Sequence, residues 1–377
     1  MKLCWKTLLI VFFSFGLNAQ KFSNEFLSIG AGARAQGLGG ANVATVSDAT
    51  SGFWNPAGLM GVEGDLQVSA MHAEWFGGIG KYDYFTFATP INDRKRVLGF
   101  SFIRFGIDNI PNTLTLYEDD GTINYSNLSS FSAVDYAFLF SYAQKLGQKL
   151  RIGGNVKLIH RKVGPFANAW GFGVDLGAQY RTGDFRFGIL GKDLTSTFNA
   201  WSFNFTEDEQ QTLQQTGNEI PESSIEITRP QLILGTGWEK DFVLGVSNKE
   251  DADGFKKSRT FGILAELNLV ATTDGQRNVL ISADPISIDP AFGLEVNYNK
   301  LIFLRGGINN FQQTSDLLGN QSWQMQPNVG VGLRFFKIQI DYALANLGND
   351  DDQFSHVVSL TFDVNFDYIR NAIKNAK

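Results

Sequence analysis

Few residues of this chain are placed to do covalent or acid–base chemistry. His72, His160 and His356 are far apart in sequence and lack the close spacing of a metal-ligating pair. Ordinary strand or interface positions account for each of them. Asp350, Asp351 and Asp352 bring three carboxylates together, but without the alternating ligand spacing of a calcium loop. That run reads as a solvated outer loop. Gly30 and Gly32 open a glycine-rich stretch whose third position is Ala35, with no strand before it, so the dinucleotide fingerprint is absent. Gly80 and Lys81 have Trp75 where a phosphate loop needs its upstream glycine. Cys4 is the single cysteine and falls in a leader segment, which leaves the remainder without thiol, disulfide or cysteine metal site. Neither an enzyme nor a metal or cofactor is expected.

One charged constellation remains. Arg151, Lys157 and Arg161 fall on the polar face of one alternating segment, with Asp135 and Asp175 on the matching faces of neighbouring segments. Opposite charges across adjacent strands pair. The reading is an interior ion-pair network, with a polar substrate path as the other use of the same groups.

The elements that position these residues are strands. Val134, Tyr136, Phe138, Phe140 and Tyr142 share one face, against Ala133, Asp135, Ala137 and Ser141, with Leu139 as the exception. Trp170, Phe172, Val174, Leu176, Ala178 and Tyr180 oppose Gly171, Gly173, Asp175, Gly177 and Gln179. The same sorting recurs near residues 152, 292, 338 and 358. Period-2 alternation marks a half-buried strand. Its repetition, with an aromatic face against a polar and glycine-rich one, points to a transmembrane barrel with lipid outside and a polar lumen. Only a closed sheet leaves no unpaired backbone groups in hydrocarbon. Tight turns at 92–94, 146–148 and 182–184 alternate with long polar segments at 109–130, 192–228 and 312–324. The stretches 242–246 and 279–282 read as strands or as loops, so the antiparallel up-and-down barrel has 14 strands or 16.

Lys2 and Lys6 precede an apolar run over 7–17, and Leu17, Asn18 and Ala19 form a plausible cleavage site. The run is shorter than the roughly 20 residues of a spanning helix. The chain is thus divided into a signal peptide (1–19), an N-terminal segment (20–61), a barrel (62–366) and a short tail (367–377). The formal charge is −6, and no basic face suits nucleic acid. Export and a barrel together mean the outer membrane, with its lipid as the first partner.

Between 21 and 61 the chain is not strand-like. It carries Gly32-Ala33-Arg34-Ala35, then Gly37-Leu38-Gly39-Gly40-Ala41, then Trp54-Asn55-Pro56-Ala57-Gly58-Leu59. In these motifs the sequence resembles the PorV/PorQ family, within the wider FadL-like outer-membrane barrels. The resemblance implies a 14-stranded barrel whose N-terminal segment folds inward as a hatch that Asn55, Pro56 and Ala57 end. Turn chemistry explains the same residues, because Pro56 holds Asn55 extended and Asn55 bonds nearby backbone. PorV/PorQ membership implies a noncatalytic component of type IX secretion, with other outer-membrane or secreted proteins as partners. The wider FadL-like group implies a transporter of hydrophobic molecules. In that case Phe26, Leu27, Ile29 and Phe53 would line an apolar pocket under the hatch.

Overall fold

The computed structural model describes residues 23–116, 122–250, 256–273, 278–283, 285–315, 319–346 and 354–366. The expected signal at 1–19, the tail at 367–377 and the Asp350, Asp351 and Asp352 cluster lie outside the described residues.

Strands follow one another along almost the whole chain: β1 (Leu66–Trp75), β2 (Gly80–Ile91), β3 (Arg96–Asn112), β4 (Ser129–Leu146), β5 (Leu150–Val163) and β6 (Ala167–Thr182). Then come β7 (Phe185–Lys192), β8 (Phe198–Phe203), β9 (Ile225–Ile227), β10 (Gln231–Glu250), β11 (Lys256–Thr272) and β12 (Ile281–Ala283). The last are β13 (Ile286–Tyr298), β14 (Ile302–Ser315), β15 (Gln321–Phe335), β16 (Ile338–Asn346) and β17 (Phe354–Val364). Each pairs antiparallel with its neighbour, except that β7 reaches across to β10 and β11 to β13. β8, β9 and β12 are therefore short strands within excursions. The other fourteen form a ring that β1 closes against β17, from Leu66 opposite Val364 to Glu74 opposite His356.

Closure leaves 14 strands, because neither ambiguous stretch adds one. Residues 242–246 belong to β10, and 279–282 contribute one bridge from Val279 to Gln312 and part of β12. The long polar segment expected at 312–324 is corrected: β14 and β15 run through most of it, and their connection is only 316–320. The third long excursion is 273–285 instead. Short turns gather on one rim, as on the periplasmic side of such barrels, and the strand ends joined by the long connections 113–128, 193–230 and 273–285 lie at the other.

The outward face is apolar around the circumference. Trp170 is 58 % exposed and Leu333 57 %, positions that lipid covers in a membrane. An aromatic ladder of Phe87, Phe100 and Phe140 crosses β2, β3 and β4, with ring centroids 5.6 and 5.3 Å apart. His160 lies on this same surface, 4.3 Å from the Trp170 ring and stacked on Tyr136. The protein is an outer-membrane barrel. The inward face corrects one expectation. From β10 to β15 it is polar and glycine-rich, with Gly237, Glu266, Asn268, Gly293, Glu295, Arg305 and Gly307. Over β1 to β5, however, Met71, Trp75, Tyr82, Tyr84, Ile103, Leu139 and Ile159 point inward and are buried. The lumen has an apolar sector because the N-terminal segment brings apolar residues against it.

One spanning strand is broken. β7 ends at Lys192 and β8 resumes beside β6 at Phe198, with 193–197 displaced between them. Asp193 and Ser196 take φ of 56° and 55° there. Lys157, 1 % exposed, reaches this break from β5 and pairs with Asp175 at 2.8 Å and with Asp193. Asp175 also accepts the Asp193 amide at 2.8 Å, and Thr197 donates to Asp193 at 2.5 Å. A buried lysine shared by two carboxylates is costly to strip of its partners. Lys157→Met should lower unfolding stability by about 3–5 kcal/mol, measured by urea titration in detergent micelles. Adding Asp175→Asn and Asp193→Asn should recover most of that loss. Wild-type stability in the single variant would show that the cluster does not hold the break.

Candidate functional site

The candidate functional region is the contact between the N-terminal segment and the inner wall. After the short helices Ala33–Gly37 and Ser51–Trp54, the chain enters the 3-10 turn Pro56–Gly61. Asn55 caps that turn in an extended conformation, φ −162° and ψ 105°. Its Oδ1 accepts from the Ala57 amide at 3.2 Å, the turn bond expected of an Asn before Pro. Its Nδ2 does more, donating to the carbonyls of Val43 at 3.0 Å, Ala178 at 3.2 Å and Ile189 at 3.4 Å. Asn55 thereby ties the segment to β6 and β7. Gly177 and Gly153 make the approach possible, since a Cβ at either would overlap Asn55 or the Pro56 and Ala57 backbone.

The opposite side is held by charge. Arg34 donates from Nε to Glu295 at 3.1 Å, and Arg305 meets the same carboxylate at 2.7 Å and Asp341 at 2.7 Å. Burial works against the Arg34 charge, but Glu295 and the carboxylates of Asp48, Glu266 and Asp341 outweigh it and raise its pKa. Glu266 accepts from the Ala44 amide at 2.7 Å and from the Thr45 hydroxyl at 2.5 Å. Asn155, Gln179 and Asn268 each donate to carbonyls of the segment. Between these ties, Leu38 and Gly39 press on Gly293 and Gly307, and Gly37 meets Gly330. Nothing larger than glycine fits at Gly307.

Toward the outer rim the contact becomes apolar. Phe26, Leu27 and Phe53 join one buried cluster with Trp75, Tyr82, Tyr84, Ile103, Leu139 and Ile159, and Ile29 packs against it. Phe53 sits edge-on to Tyr84, 6.3 Å between centroids. Lys192 adds one polar tie, donating to the Leu27 carbonyl at 3.1 Å with its ammonium 5.6 Å from the Phe53 ring. The four residues of the expected apolar pocket therefore meet in space. The wall residues that complete the cluster were missed, and Leu139, out of place in its alternation, was the available signal.

The interior charges divide into separate groups. Lys157 and Asp175 meet at the strand break with Asp193, while Arg161 pairs with Asp135 at 2.8 Å and Glu226 at 3.4 Å. Asp193 and Glu226 were not among the expected partners, for both lie in or beside the long excursion. Arg151 joins neither carboxylate. Asp135 stands opposite Arg161 and Asp175 opposite Asn155, whereas Arg151 stands opposite Gln179. The three histidines take separate positions, and no group of metal-ligating side chains occurs among the described residues.

No protein-family model matches the chain, and no curated protein matches it in sequence. Solved structures do match in shape. The monoaromatic hydrocarbon channel CymD is 13 % identical, with a TM-score of 0.53 over 89 % of this chain and 98 % of that one. The P. putida toluene transporter TodX is also 13 % identical, with a TM-score of 0.51 over 89 % of this chain and 99 % of that one. At this identity the likeness concerns the fold. What this chain shares with them is the fold, a closed antiparallel barrel of 14 strands.

Proposed function

We propose that the barrel passes small hydrophobic molecules across the outer membrane, and that residues 20–61, freed by cleavage after Ala19, form its hatch. In this reading the barrel proper is 62–366 and the tail 367–377. The observation that carries the proposal is the apolar sector of the lumen. A water-filled pore has no need of inward Trp75, Tyr82, Ile103, Leu139 and Ile159 beside Phe26, Leu27, Ile29 and Phe53. A hydrophobic solute does gain from such a lining, at about 25 cal/mol per Å² of apolar surface removed from water. The similarly folded proteins named as carriers of toluene and monoaromatic hydrocarbons suggest toluene as the first probe.

A second reading makes the protein a noncatalytic, partner-binding accessory of type IX secretion, in the manner of the PorV/PorQ family. The Trp54-Asn55-Pro56-Ala57-Gly58-Leu59 motif supports it, and so does a segment held on several sides by buried ion pairs and hydrogen bonds. A lumen closed in this way suits a scaffold that other outer-membrane or secreted proteins grip from outside. Neither reading involves catalysis.

Two experiments test these readings. In cells whose toluene uptake depends on this barrel, Phe53→Gln and Leu139→Gln should each slow uptake by about tenfold. Placing an unpaired amide on the apolar path costs about 1–3 kcal/mol. Unchanged uptake, with a secretion component recovered by affinity purification, would select the second reading. Gly307→Val should overlap Leu38 and Gly39, so the barrel assembles but its N-terminal segment becomes open to protease. Continued protection of that segment would refute the seating described above.

A further inference from the structure

The guanidinium that found no partner in the ion-pair groups is not alone. Arg151, at the start of β5, points inward on the short-turn rim, and two more inward arginines stand on the next strands. Arg181 of β6 is directly opposite Arg186 of β7, and Arg151 is opposite Gln179, two residues from Arg181. Nη1 of Arg151, Nε of Arg181 and Nε of Arg186 have no hydrogen-bond acceptor. Arg186 is the only one of the three with a carboxylate within ion-pair distance among the described residues, Glu239 at 3.2 Å. Its Nη1 also donates to the carbonyls of Gly183 at 2.8 Å and Phe185 at 3.1 Å. The other nearby carboxylate, Asp184, is taken by Lys240 at 3.0 Å. Lys145 stands opposite Arg151, and Lys149 donates to Thr182 at the rim, so the surroundings add further positive charge.

This cluster is unexpected in a chain of net charge −6. Three like charges on adjacent strands repel, and side chains chosen only to fill space would be neutral. The site also has a closed end. Gln179, opposite Arg151, donates to Val43 and Val46 of the N-terminal segment, and Gly153, two residues further along β5, abuts Pro56 and Ala57. The N-terminal segment thus backs the cluster on the lumenal side, and the short-turn rim is the side open to an anion.

We propose that Arg151, Arg181 and Arg186 form a phosphate-binding site at the periplasmic mouth, distinct from the apolar sector and independent of what that sector carries. Guanidinium forks match phosphate oxygens in geometry, and three forks suit a tetrahedral group better than a planar carboxylate. The group belongs either to a free phosphate-bearing solute or to the headgroup of an inner-leaflet phospholipid.

The test uses the full barrel in detergent, comparing wild type with the Arg151→Gln, Arg181→Gln double variant. Without added anion the double variant should melt higher, because the repulsion is relieved. Inorganic phosphate should raise the wild-type melting temperature in a saturable manner, beyond sodium chloride at matched ionic strength, and leave the double variant unmoved. Saturable stabilisation of delipidated protein assigns the site to a free phosphate. Phospholipid retained through purification by wild type alone, detected by mass spectrometry, assigns it to a headgroup. Equal responses to phosphate and chloride, together with equal lipid content in both proteins, overturn the proposal.

Discussion

In hydrocarbon a backbone amide finds no water, so every membrane-spanning strand of this protein must be paired on both sides. The bond between β1 and β17 satisfies that demand by joining the two ends of the sheet. Much of the remaining architecture follows from closure. The outward face must be apolar along its whole circumference, and fourteen strands enclose more space than their own inward side chains fill. The N-terminal segment enters that space and meets the wall so closely that Gly293, Gly307 and Gly330 are needed where it touches.

Filling the lumen with backbone creates a second demand. The carbonyls and amides of an irregular segment must be matched by the wall, because buried polar groups left alone are costly. Asn155, Gln179, Glu266 and Asn268 are inward residues that do this, each bonding the segment's main chain, and Asn55 of the segment reaches back to carbonyls of the strands. Arg34 is matched in the same way by Glu295, whose second partner, Arg305, is held by Asp341. The polar face of β10 to β15 is therefore a complement to the segment rather than the lining of an aqueous pore.

The barrel was legible in the sequence because lipid and lumen impose opposite chemistry on successive residues. Strands such as β6 and β17 carry that contrast clearly. β2 does not, since Tyr82 and Tyr84 point inward while Phe85 and Phe87 point out, and both faces read as apolar. The apolar sector was hidden for that reason, although Phe26, Leu27, Ile29 and Phe53 on its other side were visible from the N-terminal segment. Ion pairs were legible only where register is local. Arg161 and Asp135 sit opposite each other on adjacent strands, whereas Glu226 and Asp193 come from an excursion whose path no periodicity reveals. Arg151 was grouped with Lys157 because they share a face. Six residues of strand, about 20 Å, separate them, which is far beyond the reach of a common partner.

Under the proposed transport function, the distribution of ties also limits how a solute passes the N-terminal segment. Ejecting it whole would break the Arg34 ion pair, the Glu266 bonds and the Asn55 bridges together, leaving buried charges and carbonyls unpaired on both sides. Losing one buried ion-pair partner alone costs about 3–5 kcal/mol. Around Phe26, Leu27 and Phe53 the contacts are chiefly van der Waals, with polar ties beside them from Lys192 to the Leu27 carbonyl and from Ser23 and Asn24 to Asn199 and Thr228. An apolar molecule entering there replaces apolar contacts with apolar contacts, provided that Lys192 keeps its bond to the Leu27 carbonyl. Local exchange of side-chain positions in that sector is therefore the low-cost route, and the charged half of the segment can stay seated while it happens.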